Sequence, residues 1–293
     1  MVLCSVVACA VVADRAAAYT ASGDRNFPAT LILPQLAPGD EFYLNYNMLP
    51  LSSNGAGTAT RSTNLTAVYG KTITNDFGIF LDETYTGRGI EGSGTRWGWQ
   101  NQDASVRYVA INNLDHEFIM TLGLERENGG TGAKRVGASS SGATTPQFYF
   151  GKGMGDLDIG YLRPFAVTTF SGLTVADSSP RPDVVSNGFA VEYSIPYLQS
   201  KVRSFDLPAP IDHLTPITEV LFTSPVGRSY GSRSTALIAP GVSYAGEGWE
   251  FAVEAQLPAT RATGSGIGVT AQLHIALDFF FPDTIGKPLL SNP

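Results

Sequence analysis

Charge is scarce in this 293-residue chain, where Asp, Glu, Lys and Arg together make up 15%, against roughly 25% in an ordinary soluble domain. Positive charge is the scarcer sign, 19 Lys and Arg against 26 Asp and Glu, for a formal net charge of −7. Proteins that hold phosphate backbones use basic patches, so nucleic acid is excluded as a partner. Cysteine is nearly missing. Its 2 copies, Cys4 and Cys9, both sit at the extreme N-terminus, which leaves the remainder without disulfides, thiolate metal ligands or a cysteine nucleophile. After the N-terminus no apolar run approaches the ~18 residues that a spanning helix needs, so a helical membrane protein is excluded. An aromatic content of 11% excludes a disordered chain.

What is present begins with MVLCSVVACAVVADRAAA, residues 1–18, an apolar stretch closing on Ala16-Ala17-Ala18. Small residues at that place are what a signal peptidase cuts, so the stretch reads as a signal peptide removed before Tyr19. The usual positive n-region is missing, which points to a start codon upstream of Met1. Val6-Val7-Ala8-Cys9 loosely resembles a lipoprotein acylation site, but the apolar run continues past it. The mature protein is therefore expected to be exported and free of cysteine.

Over the rest of the chain, apolar residues recur every second position rather than at helical spacing. In GFAVEYSIPYL, Phe189, Val191, Tyr193, Ile195 and Tyr197 share one face, opposite Ala190, Glu192 and Ser194. In WEFAVEAQL, Trp249, Phe251 and Val253 oppose Glu250, Ala252 and Glu254. In VTAQLHIALDFFF, Leu273, Ile275 and Leu277 oppose Gln272, His274 and Asp278. Weaker alternation occupies 41–51, 62–73, 78–88, 97–112, 117–127, 145–154, 158–176, 217–227 and 233–245, which predicts about twelve strands. Globular strands average about five or six residues, whereas several of these exceed ten, the length that crosses a bilayer at a tilt.

The connections alternate in size. Thr74-Asn75-Asp76, Asn112 to His116, Gly155-Asp156-Leu157 and Gly246-Glu247-Gly248 are tight turns, and Gly/Ser/Thr-rich stretches at 52–61, 87–96, 127–143, 177–183, 227–233 and 259–266 separate them. Long strands with an oily face, an even count and alternating loop lengths predict an all-β fold, an antiparallel up-and-down transmembrane β-barrel. Aromatics near strand ends (Tyr43, Tyr46, Trp97, Trp99, Trp249 and Phe279 to Phe281) suit headgroup level. Residues 201–216 break the rhythm and read as a periplasmic excursion. Residues 19–40 read as a periplasmic leader or plug, with a loose leader preferred. The barrel itself is assigned to 41–281 and a periplasmic tail to 282–293.

Leu277-Asp278-Phe279-Phe280-Phe281-Pro282-Asp283-Thr284-Ile285-Gly286-Lys287-Pro288-Leu289-Leu290 resembles the closing strand and tail of outer-membrane barrels described as transporters of the phenol meta-pathway type. That resemblance is sharp over these residues and diffuse elsewhere. It implies a bacterial outer-membrane location and passage of small hydrophobic or aromatic solutes, and it carries no catalytic motif.

If the oily face meets lipid, the other face lines a lumen. Glu192, Glu250, Glu254, His274 and Asp278 are then inward, with Arg107 and Glu125 beside them. The lipid face takes Phe189, Val191, Tyr193, Ile195, Tyr197, Trp249, Phe251, Val253, Leu273, Ile275 and Leu277. A mainly acidic lining favours cations or neutral solutes over anions, although inward charges also serve simply to hydrate and brace a narrow barrel. The expected partners are outer-membrane lipid and a small-molecule solute, with a periplasmic or extracellular protein as the competing structural reading. A lipid hydrolase with a Ser–His pair is the enzymatic competitor, but alternation turns His274 away from lipid, and no G-x-S-x-G elbow or His-x-x-x-His pair occurs. Gly151, Gly153 and Gly155 have neither the spacing nor the following helix of a phosphate loop. No catalytic residue, metal site or cofactor is expected.

Overall fold

The computed structural model describes residues 20–53, 59–178, 181–227 and 233–290. The expected signal peptide, Cys4 and Cys9 lie outside the described residues. Twelve long antiparallel strands dominate: β1 (Glu41–Met48), β2 (Ala59–Thr72), β3 (Phe77–Ile90), β4 (Gln102–Asn113), β5 (Phe118–Asn128) and β6 (Ala143–Gly153), followed by β7 (Phe165–Ala176), β8 (Asp183–Tyr193), β9 (Leu214–Val226), β10 (Thr235–Ala245), β11 (Trp249–Pro258) and β12 (Gly268–Ala276). Each pairs with the next, and β12 pairs with β1 through Leu273 opposite Leu44 and Ile275 opposite Phe42. The twelve strands close on themselves into a barrel. Closure is what lets a sheet cross hydrocarbon, because every ladder N–H and C=O finds a partner within the wall.

Alternation sets the two faces. Leu81, Tyr108, Leu122, Phe148, Phe222 and Phe251 point outward and are exposed, while their neighbours Phe80, Arg107, Thr121, Gln147 and Ala252 point inward and are buried. An oily outer wall around a polar interior is the reverse of a soluble protein, and it fits a bacterial outer-membrane barrel. Both described chain ends lie at the end of the barrel that carries the tight turns, the periplasmic side in such folds.

Four strand boundaries differ from the sequence reading. Trp97 and Trp99 belong to a separate strand, Gly94–Trp99, which pairs with the outer end of β3. There Trp97 and Tyr85 stack with ring centroids 5.8 Å apart. β7 starts at Phe165 because Gly160–Leu162 form a helical turn. β8 ends at Tyr193 and β12 at Ala276, where the chain turns helical at Ile195–Tyr197 and Leu277–Phe280. Ile195, Tyr197 and Leu277 therefore leave the lipid face to which alternation assigns them. Tyr197 and Leu277 are buried on the periplasmic side. Asp278 likewise lies in a helical turn beyond the wall, its Oδ1 accepting from the Phe279 N–H at 3.0 Å.

Candidate functional site

The N-terminal segment fills the lumen. A small hairpin, Thr20–Ser22 with Arg25–Phe27, sits at the periplasmic mouth. The chain then enters the barrel, and Phe27, Ala29, Leu31, Leu33, Leu36 and Ala37 are all buried inside it before β1 begins. Apolar side chains of this segment pack on apolar inward residues of the wall. Phe27 and Leu36 join Val109, Ile119, Tyr149 and Phe170, while Leu33 joins Ala190 and Ile217. Two wall glycines make room, since a Cβ on Gly188 would stand 2.2 Å from a Leu33 methyl and one on Gly151 would stand 2.6 Å from a Leu36 methyl. The segment is packed inside the barrel, and we read it as a plug.

A plug has few backbone partners of its own, so its polar groups are satisfied by the wall. The Leu31, Ile32 and Leu33 N–H groups all donate to the Glu219 carboxylate, at 2.5, 3.1 and 2.8 Å. Consecutive N–H groups converging on one anion form a nest, and hydrogen bonds to a charged acceptor are about twice as strong as neutral ones. Ala29 N–H donates to Glu250 at 3.2 Å, and Ser243 donates to the same carboxylate. Carbonyls face donors in turn. Leu31 O accepts from Asn45 at 2.8 Å, Thr30 O from Gln272 at 3.2 Å and Gln35 O from Arg107 at 3.0 Å. The Arg107 guanidinium also lies 4.0 Å over the Phe80 ring.

Each end of the plug is tied at the periplasmic mouth. Arg25, fully buried, donates to the carbonyls of Pro164, Arg163 and Phe165 at 3.0, 2.5 and 3.2 Å. It stacks 4.1 Å over Tyr197 and pairs with Glu117 at 3.5 Å. At the other end, Asp40 accepts from Lys71 Nζ at 2.5 Å and from Thr72 N–H at 3.1 Å, with a further bond from the Thr72 hydroxyl. Lys71 also donates to the carbonyls of Ile285 and Lys287 at 3.0 and 2.6 Å, which locks the C-terminal tail over the same corner.

The Tyr197 hydroxyl donates to Glu117 at 2.8 Å. Burial, reinforced by this acceptor, pushes the phenol up to about 12, against about 10 for an ordinary tyrosine. The contact is in place below pH 10 and is lost as pH rises through about 12. In a difference absorbance titration against Tyr197→Phe, one phenol should titrate near 12. A midpoint near 10 would show a free hydroxyl.

The inward assignments fall in different places. Glu192, Glu250, Glu254, His274 and Arg107 are buried within the lumen, and Glu125 is half-buried, accepting from Gln147 at 3.0 Å. His274 Nε2 meets the Glu41 carboxylate at 2.7 Å. Glu254 stands beside Glu219. On the outer wall Phe189, Val191, Phe251, Val253 and Leu273 are exposed, with Tyr193, Trp249 and Ile275 half-buried at the periplasmic rim. Cavities of about 220 and 310 Å³ lie on either side of the plug. The outer one is lined by Asn45, Asn64, Asp82, Arg107 and Glu125. The periplasmic one is lined by Asp40, Glu41, His274 and Asp278.

No protein-family model matches the chain, and no curated protein does. Among solved structures it is similar to an outer membrane channel from Pseudomonas putida F1, at 11% identity and a TM-score of 0.54 over 86% of this chain and 99% of that one. It is also similar to the KdgM porin, at 10% identity and a TM-score of 0.46 over 80% and 98%. At such identities the likeness concerns the fold, which is that of an outer-membrane β-barrel.

Proposed function

We propose that this protein is a passive outer-membrane conduit for small solutes that rests closed, with residues 28–37 as its stopper and Glu219 as the catch. The observation that carries the reading is the convergence of three consecutive plug N–H groups on one buried wall carboxylate. A leader that merely precedes a strand needs no such acceptor. The likeness in fold to an outer membrane channel agrees with this reading. The apolar strip inside the lumen supports small hydrophobic or aromatic solutes, as does the C-terminal resemblance to phenol meta-pathway transporters. The hydrolase alternative has less support, since His274 faces Glu41 inside the barrel and not a serine on the lipid side.

Planar-bilayer recording tests the reading. The parent barrel should spend most of its time closed, and its openings should favour K⁺ over Cl⁻ because Glu192, Glu219, Glu250 and Glu254 outnumber Arg107 along the path. Anion preference, or silence even after the plug has been released, would overturn it.

A further inference from the structure

The β6–β7 ladder is interrupted at Pro146, as the β10–β11 ladder is at Pro240, and only the former has an apolar cluster of the lumen beside it. The β6–β7 ladder runs unbroken from Gly153–Ala166 to Gln147–Gly172, then skips to Thr144–Val175. The skipped residues are Thr145 and Pro146 on one strand and Leu173 and Thr174 on the other. Proline has no N–H to give, so the backbone bond due at Pro146 cannot form. A side-chain contact stands in its place, Thr145 Oγ1 to Thr174 Oγ1 at 3.0 Å.

The lipid side of this gap is largely apolar, and on the lumen side the paired threonines adjoin an apolar cluster. On the lipid side a groove of about 360 Å³ is lined by Pro146, Phe148, Leu173 and Val185, with the Gln147–Gly172 pair behind it. On the lumen side Gly172 presents no side chain, and the Phe170 ring edge lies 3.0 Å from where its Cβ would stand. Phe170 packs on Tyr149 at 5.4 Å between ring centroids. These two rings are the wall's end of the apolar cluster that runs back to Leu36 and Phe27 of the plug. An oily strip inside an otherwise acidic lumen thus ends where the wall has lost a backbone bond and an oily groove waits outside.

We propose that this β6–β7 seam is a lateral exit through which small apolar or aromatic solutes pass from the lumen into the membrane. The inference rests on the conduit reading and deepens it. Apolar solutes gain roughly 25 cal/mol for each Å² taken out of water, so the strip and groove offer them a downhill route. The straight path past Glu219 and Glu254 does not.

The double variant Thr145→Cys with Thr174→Cys tests the seam, since the two hydroxyls already touch and the chain beyond Cys9 has no other cysteine. The probe is N-phenyl-1-naphthylamine, which fluoresces on reaching membrane hydrocarbon, applied to cells carrying the barrel. Oxidation should lower barrel-dependent uptake at least fivefold and reduction should restore it, while each single variant stays insensitive. K⁺ conductance of the oxidised protein in bilayers should be unchanged. A crosslink confirmed by gel mobility with uptake unaltered would overturn the proposal, as would uptake and conductance falling together. Uptake no greater than in cells lacking the barrel would also overturn it, whereas failure of the conduit reading would show separately as absent conductance. Should the crosslink not form, Gly172→Leu fills the seam from inside, and a folded Gly172→Leu barrel with full uptake would equally sink the exit.

Discussion

Replacing Glu219 with alanine is expected to turn a barrel that rests closed into one that conducts steadily. The carboxylate is the acceptor for three successive plug N–H groups, and alanine leaves all three facing a wall that offers nothing in return. An unsatisfied buried polar group costs roughly 1–3 kcal/mol. Even if water entering from the adjoining cavities recovers half of that, about 3 kcal/mol of docking free energy is lost. That is roughly a hundredfold change in the ratio of open to closed states. Glu219→Gln keeps an acceptor oxygen but not the charge, so its effect should be intermediate. Glu250→Ala should do less, because one plug N–H rather than three depends on Glu250. Open probability from single-channel traces reads all three variants. An unchanged value in a Glu219→Ala barrel that still shows folded gel mobility would remove Glu219 from the gate.

The wall was legible from the sequence wherever only lipid and water dictate its pattern. Along β11 and β12 the inward residues are polar or small, so strict alternation marks both faces, and Glu250, Glu254 and His274 are buried. β9 was not legible in this way. Its inward residues are Ile217, Glu219 and Leu221, and its outward residues include Thr218 and Phe222, so neither face is clean. The structure supplies the reason, since Leu33 of the plug packs on Ile217 and a wall that holds an oily stopper must itself be oily inside. Val109 and Ile119 blur their strands for the same reason, and Phe80 blurs its strand by packing on Tyr43 and Val68 of the wall. Glu219, the residue on which the gate turns, was hidden by the partner it holds. A usable signal existed in the leader: Arg25 and Asp40 bracket the apolar run Ala29 to Leu33, and a solvated linker needs neither. Alternation also overran its proper end at Ile195, Tyr197, Leu277 and Asp278. A helical turn can continue a period-two pattern for a residue or two, and Ser194, which caps the turn, and Pro196 were the local cues that β8 had ended.

Arg25→Ala is expected to free the first half of the plug while leaving the second half seated. Arg25 ties three periplasmic elements together through the carbonyls of Arg163, Pro164 and Phe165, the Glu117 carboxylate and the Tyr197 ring. Removing it deprives a buried carboxylate of its cation, a loss of roughly 3–5 kcal/mol. Glu117 keeps only Tyr197 and the Gly155 N–H as donors. The Glu219 catch and the Asp40–Lys71 tie lie further along the chain and keep their own partners, so the segment should peel from its N-terminal end. Single reporter cysteines distinguish the halves with little disturbance, because Ala29 and Ala37 are both small, both buried and on opposite sides of the catch. In an otherwise unaltered barrel, Ala29→Cys and Ala37→Cys should both resist a water-soluble maleimide. With Arg25→Ala added, Ala29→Cys should label about a hundredfold faster, in line with 3 kcal/mol of lost docking, and Ala37→Cys should stay protected. Equal release of both reporters would mean that the plug leaves as one rigid piece. Arg25 at the mouth, and not Glu219 in the lumen, would then hold the gate.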